Sequence, residues 1–420
     1  MSLEDEPSTR VRWLGAALIL LALAALIWQA SEAGRVDEPP PPAVVEAEAP
    51  EARPSLNEML ASVNTAKLGV LAASASAWAA PGASAAGQDE VEVCGIGRVK
   101  VDASGEPVNS EPITQASEKA SKAALDRLLP QMSGSSDELT RSAALLLQME
   151  APESRDALAR MALTTQSPDV YLFALRACAR GRDSGVCRML SADQLARLDP
   201  NNIFPWLEVA TDARARGDTA ALAEAMYRAS LSNRADVQWG KLTGIAMARL
   251  PTDTPEFERW ALAVRLIGTE AAFSMPYFVV SQYCSVTDVR DSNRQQICSA
   301  VAEVLSSKGT NLMDLGFGTT IGQRAGWPAE RVAALREEHD ALSQVSSSIT
   351  TDAARPLSCA ALQKLARYAV DLGRYGELGV TRRALKQSPD NVASLARRYR
   401  EATIKRIADS ASGPASATSQ

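Results

Sequence analysis

Residues Trp13 to Trp28 form an apolar run without a single charge, bracketed by two tryptophans. A stretch of this length can just cross a hydrocarbon layer of roughly 30 Å, and indole rings favour its two water interfaces. Arg10 and Arg12 precede the run, whereas Glu32, Arg35, Asp37 and Glu38 follow it. The positive-inside rule therefore predicts a cytoplasmic tail over 1–12, an inner-membrane helix over 13–28 and a periplasmic remainder. The alternative is a cleaved signal peptide, with Ser31-Glu32-Ala33 as the cleavage site. A membrane anchor fits better, because the run exceeds an ordinary signal-peptide apolar region and ends in tryptophan.

The six cysteines all follow this segment, which fits an oxidising compartment. Residues 29–55 read as a proline-rich linker, with Pro39 to Pro42 in a row and then Pro50 and Pro54. As polyproline II, at about 3.1 Å per residue, it spans up to roughly 60 Å; a tether of no fixed length is the other reading. Residues 56–90 are expected to hold a helix and a loop. Leu56, Met59, Leu60, Val63, Val70 and Leu71 share one helical face, and a Pro-Gly-Ala-Ser loop from Pro81 ends it.

Residues 91–101 carry the one strand signal, with alternating valines interrupted by Gly95 and Gly97, so a bulge or short hairpin is expected. Gly95-Ile96-Gly97 lacks the third glycine and the following helix of a dinucleotide fingerprint. The rest of 91–408 is patterned for helices. Aromatic content is only 5%, and alanine, leucine and arginine, which lose little on entering a helix, are abundant. Breaks are expected at Pro130 to Gly134, Ser167-Pro168, Gly181 to Gly185, Pro200 to Asn202, Pro251 to Pro255, Gly316 to Gly318 and Ser388-Pro389. Residues 409–420 are small and polar, and a disordered tail is expected there. The net charge of −6 is dispersed, which argues against nucleic acid as a partner.

Turn residues recur as Ser167-Pro168-Asp169, Asp199-Pro200-Asn201-Asn202 and Ser388-Pro389-Asp390-Asn391. Proline ends one helix, and Asp or Asn caps the next. Trp206, Ala210, Gly217-Asp218, Met226 and Ala229 then follow at the spacing of a helix hairpin. Over 167–233 this pattern resembles a tetratricopeptide-type repeat, with Leu222 standing where the family has a close-packing alanine. A degenerate unit begins at Asp169 with Leu172 and Leu175 in register. Another, one residue out of step, involves Leu362, Leu365, Ala366, Gly373, Tyr375 and Leu385. The expected class is all-α: a helix-pair α-solenoid with a short N-terminal β segment and one transmembrane helix. A compact helical bundle is the alternative. More loosely, the chain resembles Gram-negative envelope proteins that combine a Cys-Gly-x-Gly strand with cysteine-flanked helix pairs.

Phe204, Leu207, Thr211 and Arg214 share one face at three- and four-residue steps. The tetratricopeptide resemblance implies that this face lines a groove for extended peptides; otherwise Phe204 and Leu207 are core. Arg397, Arg398, Arg400, Lys405 and Arg406 read as a polar cap on the last helix. Six cysteines allow 15 pairings. Proximity ranks Cys178–Cys187 and Cys284–Cys298 first, closing loops that contribute about 3 kcal/mol each, and leaves Cys94 with Cys359.

No Cys-x-x-Cys occurs, and His339 is the sole histidine, within the charged helix face Arg336-Glu337-Glu338-His339-Asp340. Zinc ligation and histidine-based acyl transfer therefore have little support, and neither a cofactor nor a metal is expected. Glu337/Glu338 and Glu46/Glu48 are adjacent carboxylates with no visible cleft. The expectation is a membrane-anchored periplasmic adaptor that binds a protein in the envelope without catalysis. A membrane-tethered cell-wall hydrolase and a purely structural spacer remain the alternatives.

Overall fold

The computed structural model describes residues 90–101, 108–179, 181, 185–273, 275–352 and 358–411. The expected anchor (13–28), linker (29–55), amphipathic helix (56–71) and C-terminal tail from 412 lie outside these residues. Among the described residues, no helix is long and apolar enough to cross a membrane.

The contacts divide the chain into two units. One holds residues 91–99 and 109–403. The other takes in residues 1–90, 100–108 and 404–420, within which the described Val108 backbone N–H donates to the Lys100 carbonyl at 3.0 Å.

Among the described residues, a two-stranded hairpin, β1 (Glu90–Val93) and β2 (Gly97–Lys100), precedes fifteen α-helices. These are α1 (Glu111–Ser133), α2 (Glu138–Leu147), α3 (Pro152–Ala162), α4 (Pro168–Cys178), α5 (Ala192–Leu198), α6 (Ile203–Ala215), α7 (Thr219–Ser230) and α8 (Lys241–Arg249). There follow α9 (Glu256–Ala271), α10 (Tyr277–Tyr283), α11 (Ser292–Lys308), α12 (Leu312–Arg324), α13 (Ala329–Asp352), α14 (Cys359–Gln387) and α15 (Val392–Ala411). The expected hairpin is thus present, with Gly95 and Gly97 at positive φ in its turn.

Helices begin where short polar side chains take up free backbone N–H groups. Asp137, Ser167, Ser191, Asn202, Asp218, Asp291, Asn311 and Ser358 all do so. The 203–230 segment forms the expected helix hairpin, turning at Gly217 (φ 71°), with Asp218 accepting from the Ala221 N–H. Ala210, Met226 and Ala229 are fully buried within it.

Two apolar clusters organise the larger unit. One joins α6, α7, α10, α11 and α12 around Phe204, Leu207, Met226, Tyr277, Val301, Leu305 and Ile321. The other joins α1 to α5 with α8, α9 and α14 around Leu128, Phe173, Leu242, Leu262, Leu266 and Ala369.

One expectation changes. Gly316 to Gly318 do not break a helix but lie inside α12. The missing side chain lets α12 approach α11, since a Cβ on Gly318 would lie 2.7 Å from the Ser306 nitrogen and 2.9 Å from the Ala302 carbonyl oxygen. Gly373, placed in the sequence among the positions of a degenerate repeat unit, is likewise a contact residue: α14 crosses α8 there, and a Cβ on Gly373 would sit 2.4 Å from the Gly244 Cα.

Candidate functional site

The face expected to bind a partner divides at α6. Phe204 and Leu207 are buried, at 4% and 0% exposure, in the cluster that α6 forms with α7, α10, α11 and α12; Tyr277 of α10 meets Phe204 edge-to-face at 5.7 Å. They are core residues, and this corrects their expected place in a groove. Thr211 is half-buried and donates its hydroxyl to the Leu207 carbonyl at 2.8 Å, a bond within its own helix. Arg214 stays at the surface, its guanidinium 5.6 Å from the centroid of the Phe278 ring. Phe278, on α10, is 65% exposed. A phenyl ring in water with a guanidinium over its face presents an apolar and a cationic contact together, a combination common where proteins dock. Phe278 was missed from the sequence, where it is one aromatic in Pro276-Tyr277-Phe278 with nothing to tell the buried ring from the exposed one.

Beneath this surface runs a polar seam. The loops preceding α6 and α8 lie side by side: the Ile203 N–H donates to the Arg234 carbonyl at 2.9 Å, and the Asn233 N–H to the Asn201 carbonyl at 3.1 Å. Buried Asn202 clasps Asp236 at both ends of its amide, donating to the carbonyl at 2.8 Å and accepting from the N–H at 3.0 Å. Arg234 pairs with Asp199, and Lys241 with Asp169. Gln238 bonds Asp169 as well, 69 positions away. Ala235 then bridges to Gly309 in parallel, carrying the seam to the start of α12.

Buried carboxylates finish helix ends along this seam. Gly240, the N-cap of α8, has no side chain to offer. Glu270 on α9 supplies the acceptor instead, taking the Leu242 and Thr243 N–H groups at 3.1 and 3.2 Å. At α12, Asn311 and Asp314 form a capping box. Asp314, fully buried, also accepts from the Thr310 N–H at 2.9 Å and the Tyr277 hydroxyl at 2.6 Å.

The Leu312 N–H goes to Glu377 at 3.1 Å. That contact depends on a kink in α14 at Gly376 (φ 67°), where a Cβ would lie 2.9 Å from the Thr310 carbonyl oxygen. Burial raises the pKa of Glu270 and of Glu377 and pushes Asp314 up to about 7, against the hydrogen bonds that favour its charged form. Burial also raises the Tyr277 phenol well above its ordinary value. Each of these acids is occupied by backbone donors, an arrangement that holds helices in place.

The two charged segments noted in the sequence are structural too. Glu338 pairs with Arg382 at 2.9 Å and Asp340 with Arg400 at 2.8 Å, joining α13 to α14 and α15, so the segment around His339 is not a freely solvated face. Arg398 pairs with Asp390. A groove of about 510 Å³ lies among α13, α14 and α15, lined by apolar Val345, Ile349, Ala384 and Leu395 and by charged Lys364, Asp390 and Arg398. Among the described residues no group of three or more His, Cys, Asp or Glu is placed to hold a metal ion.

All six cysteines are paired as proximity ranked them: Cys94–Cys359, Cys178–Cys187 and Cys284–Cys298. No protein-family model, curated protein or solved structure matches this chain.

Proposed function

We propose that this chain is a single-pass inner-membrane protein whose periplasmic helical body, tetratricopeptide-like in its helix pairs, acts as an adaptor that binds another envelope protein. The segment 13–28 is the anchor and 29–55 the tether. Three disulfides and no free cysteine are what an oxidising compartment leaves in such a chain.

The observation that carries the binding role is the Arg214–Phe278 pair. Leaving a 65%-exposed phenyl ring in water forgoes apolar burial worth about 2 kcal/mol, which a partner's surface would recover. The same partner would take the Arg214 guanidinium against a carboxylate or a second ring. Catalysis has no part in this role.

Affinity capture from solubilised envelope membranes tests it, comparing the native chain with Phe278→Ala and Arg214→Glu. A protein retained by the native chain and depleted about tenfold or more by each substitution is the expected result, matching a loss of about 1.4 kcal/mol or more at a binding hot spot. An identical set of retained proteins in all three samples contradicts it.

A further inference from the structure

Two of the three disulfides are sealed in the core and one is not. Cys284 and Cys298 are 0% exposed, and Cys178 and Cys187 are 1% and 5% exposed. Cys359, by contrast, is exposed, and its partner Cys94 is half-buried. A soluble dithiol reaches the first four only when helices separate, whereas it meets the Cys94–Cys359 bond at the surface of the folded protein.

The two sulfurs of that bond also differ. Cys359 is the first residue of α14, directly after its N-cap Ser358. The positive end of the helix dipole there favours a thiolate, which makes Cys359 the better leaving group.

What the bond holds is small. The strands of the hairpin are four residues each, too short to persist alone. Besides the sulfur bridge, Cys94 and Ile96 pack against the small cluster of Ala120, Phe257, Ala261 and Leu362, and Gly95 lies against Phe257, whose Cβ a side chain at position 95 would meet at 2.8 Å.

We propose that Cys94–Cys359 is a thiol–disulfide exchange site at which a dithiol reductant acts on this protein, and that opening it releases the hairpin segment 91–99 from α1, α9 and α14. A thiolate of the reductant attacks the Cys94 Sγ. A mixed disulfide forms as the Cys94–Cys359 bond breaks, and the electron pair leaves on the Cys359 Sγ. The second thiol of the reductant then attacks its own sulfur in the mixed disulfide and expels Cys94 as a thiolate. The protein bond has gained two electrons, the reductant has become a disulfide, and the protons lost by its two thiols are available to the two protein thiolates.

The test uses the full chain in its folded state, exposed to dithiothreitol for increasing times, quenched with an alkylating agent and mapped by peptide mass. Cys94 and Cys359 should become alkylated about tenfold or more faster than the other four cysteines, with no change in helical signal. Amide hydrogen exchange should rise over 91–99 as the bond opens. A second preparation, Cys94→Ser with Cys359→Ser, should show that same exchange without any reductant. Simultaneous opening of all three bonds, or earlier opening of Cys178–Cys187 or Cys284–Cys298, overturns the exchange site. Undiminished protection of 91–99 in the double variant overturns the release.

Discussion

Asp314 is fully buried, yet its carboxylate accepts from Tyr277 and from the backbone at the start of α12. Burial holds its pKa near 7 in the folded protein, against 3.8 for the ordinary group. The folded form therefore keeps its proton where the unfolded chain has lost it. Stability from this group is complete below about pH 4 and declines as the pH rises through about 7. Glu270 and Glu377, both raised by burial, act with the same sign. The melting temperature should be higher at about pH 5 than at about pH 8, and Asp314→Asn should flatten most of that difference. Equal slopes in the native and variant proteins would mean that Asp314 titrates normally. None of these acids stands out in the sequence, where a lone Glu or Asp on a helix reads as a surface charge. Their roles emerge only when the chain places Glu270 27 to 28 positions from the N–H groups it receives, and Glu377 65 positions from its own.

At the level of helices, local rules and tertiary packing decide different things. Caps were legible in part: Asn202 and Asp218 start helices where their chemistry requires, and the 203–230 hairpin follows, whereas Pro168, expected to end a helix, is the first residue of α4 with Ser167 rather than Asp169 as its cap. The β hairpin was legible from alternating valines around Gly95 and Gly97. Glycine was ambiguous, because the same residue serves a turn or a close helix crossing. At Gly217 it makes the turn, whereas at Gly318 and Gly373 it makes the crossing.

The proposed partner face was half legible for a related reason. Periodicity placed Phe204, Leu207, Thr211 and Arg214 together on α6, but not the later helices whose cluster buries the first two. Gly373→Ala separates the two uses of glycine. Alanine is the better helix former by about 1 kcal/mol, so a free helix surface would gain. In this fold the new methyl collides with the Gly244 Cα and the Gly240 carbonyl oxygen, and a net loss of about 2 kcal/mol is expected in denaturant unfolding. A stabilised variant would refute the crossing.

Across the whole chain, covalent bonds extend what packing begins. Cys178–Cys187 and Cys284–Cys298 close short loops of sequence separation 9 and 14, each worth about 3 kcal/mol by chain entropy. Cys94–Cys359 spans a separation of 265 and pins the hairpin to α14. The pairing was legible by proximity, since the two near pairs left a single far one. Which bond faces solvent was not, because exposure depends on helices that the cysteine spacing does not mention.

The proposed adaptor role requires the helical body to mature where thiols are oxidised, a history that the four buried cysteines would record. Cells producing the full chain can be quenched in acid, then denatured and alkylated without reductant, and Cys178, Cys187, Cys284 and Cys298 mapped by mass. The account predicts that none of the four takes the label until a reductant is added after denaturation. Label on these cysteines straight from the quenched cells would contradict it.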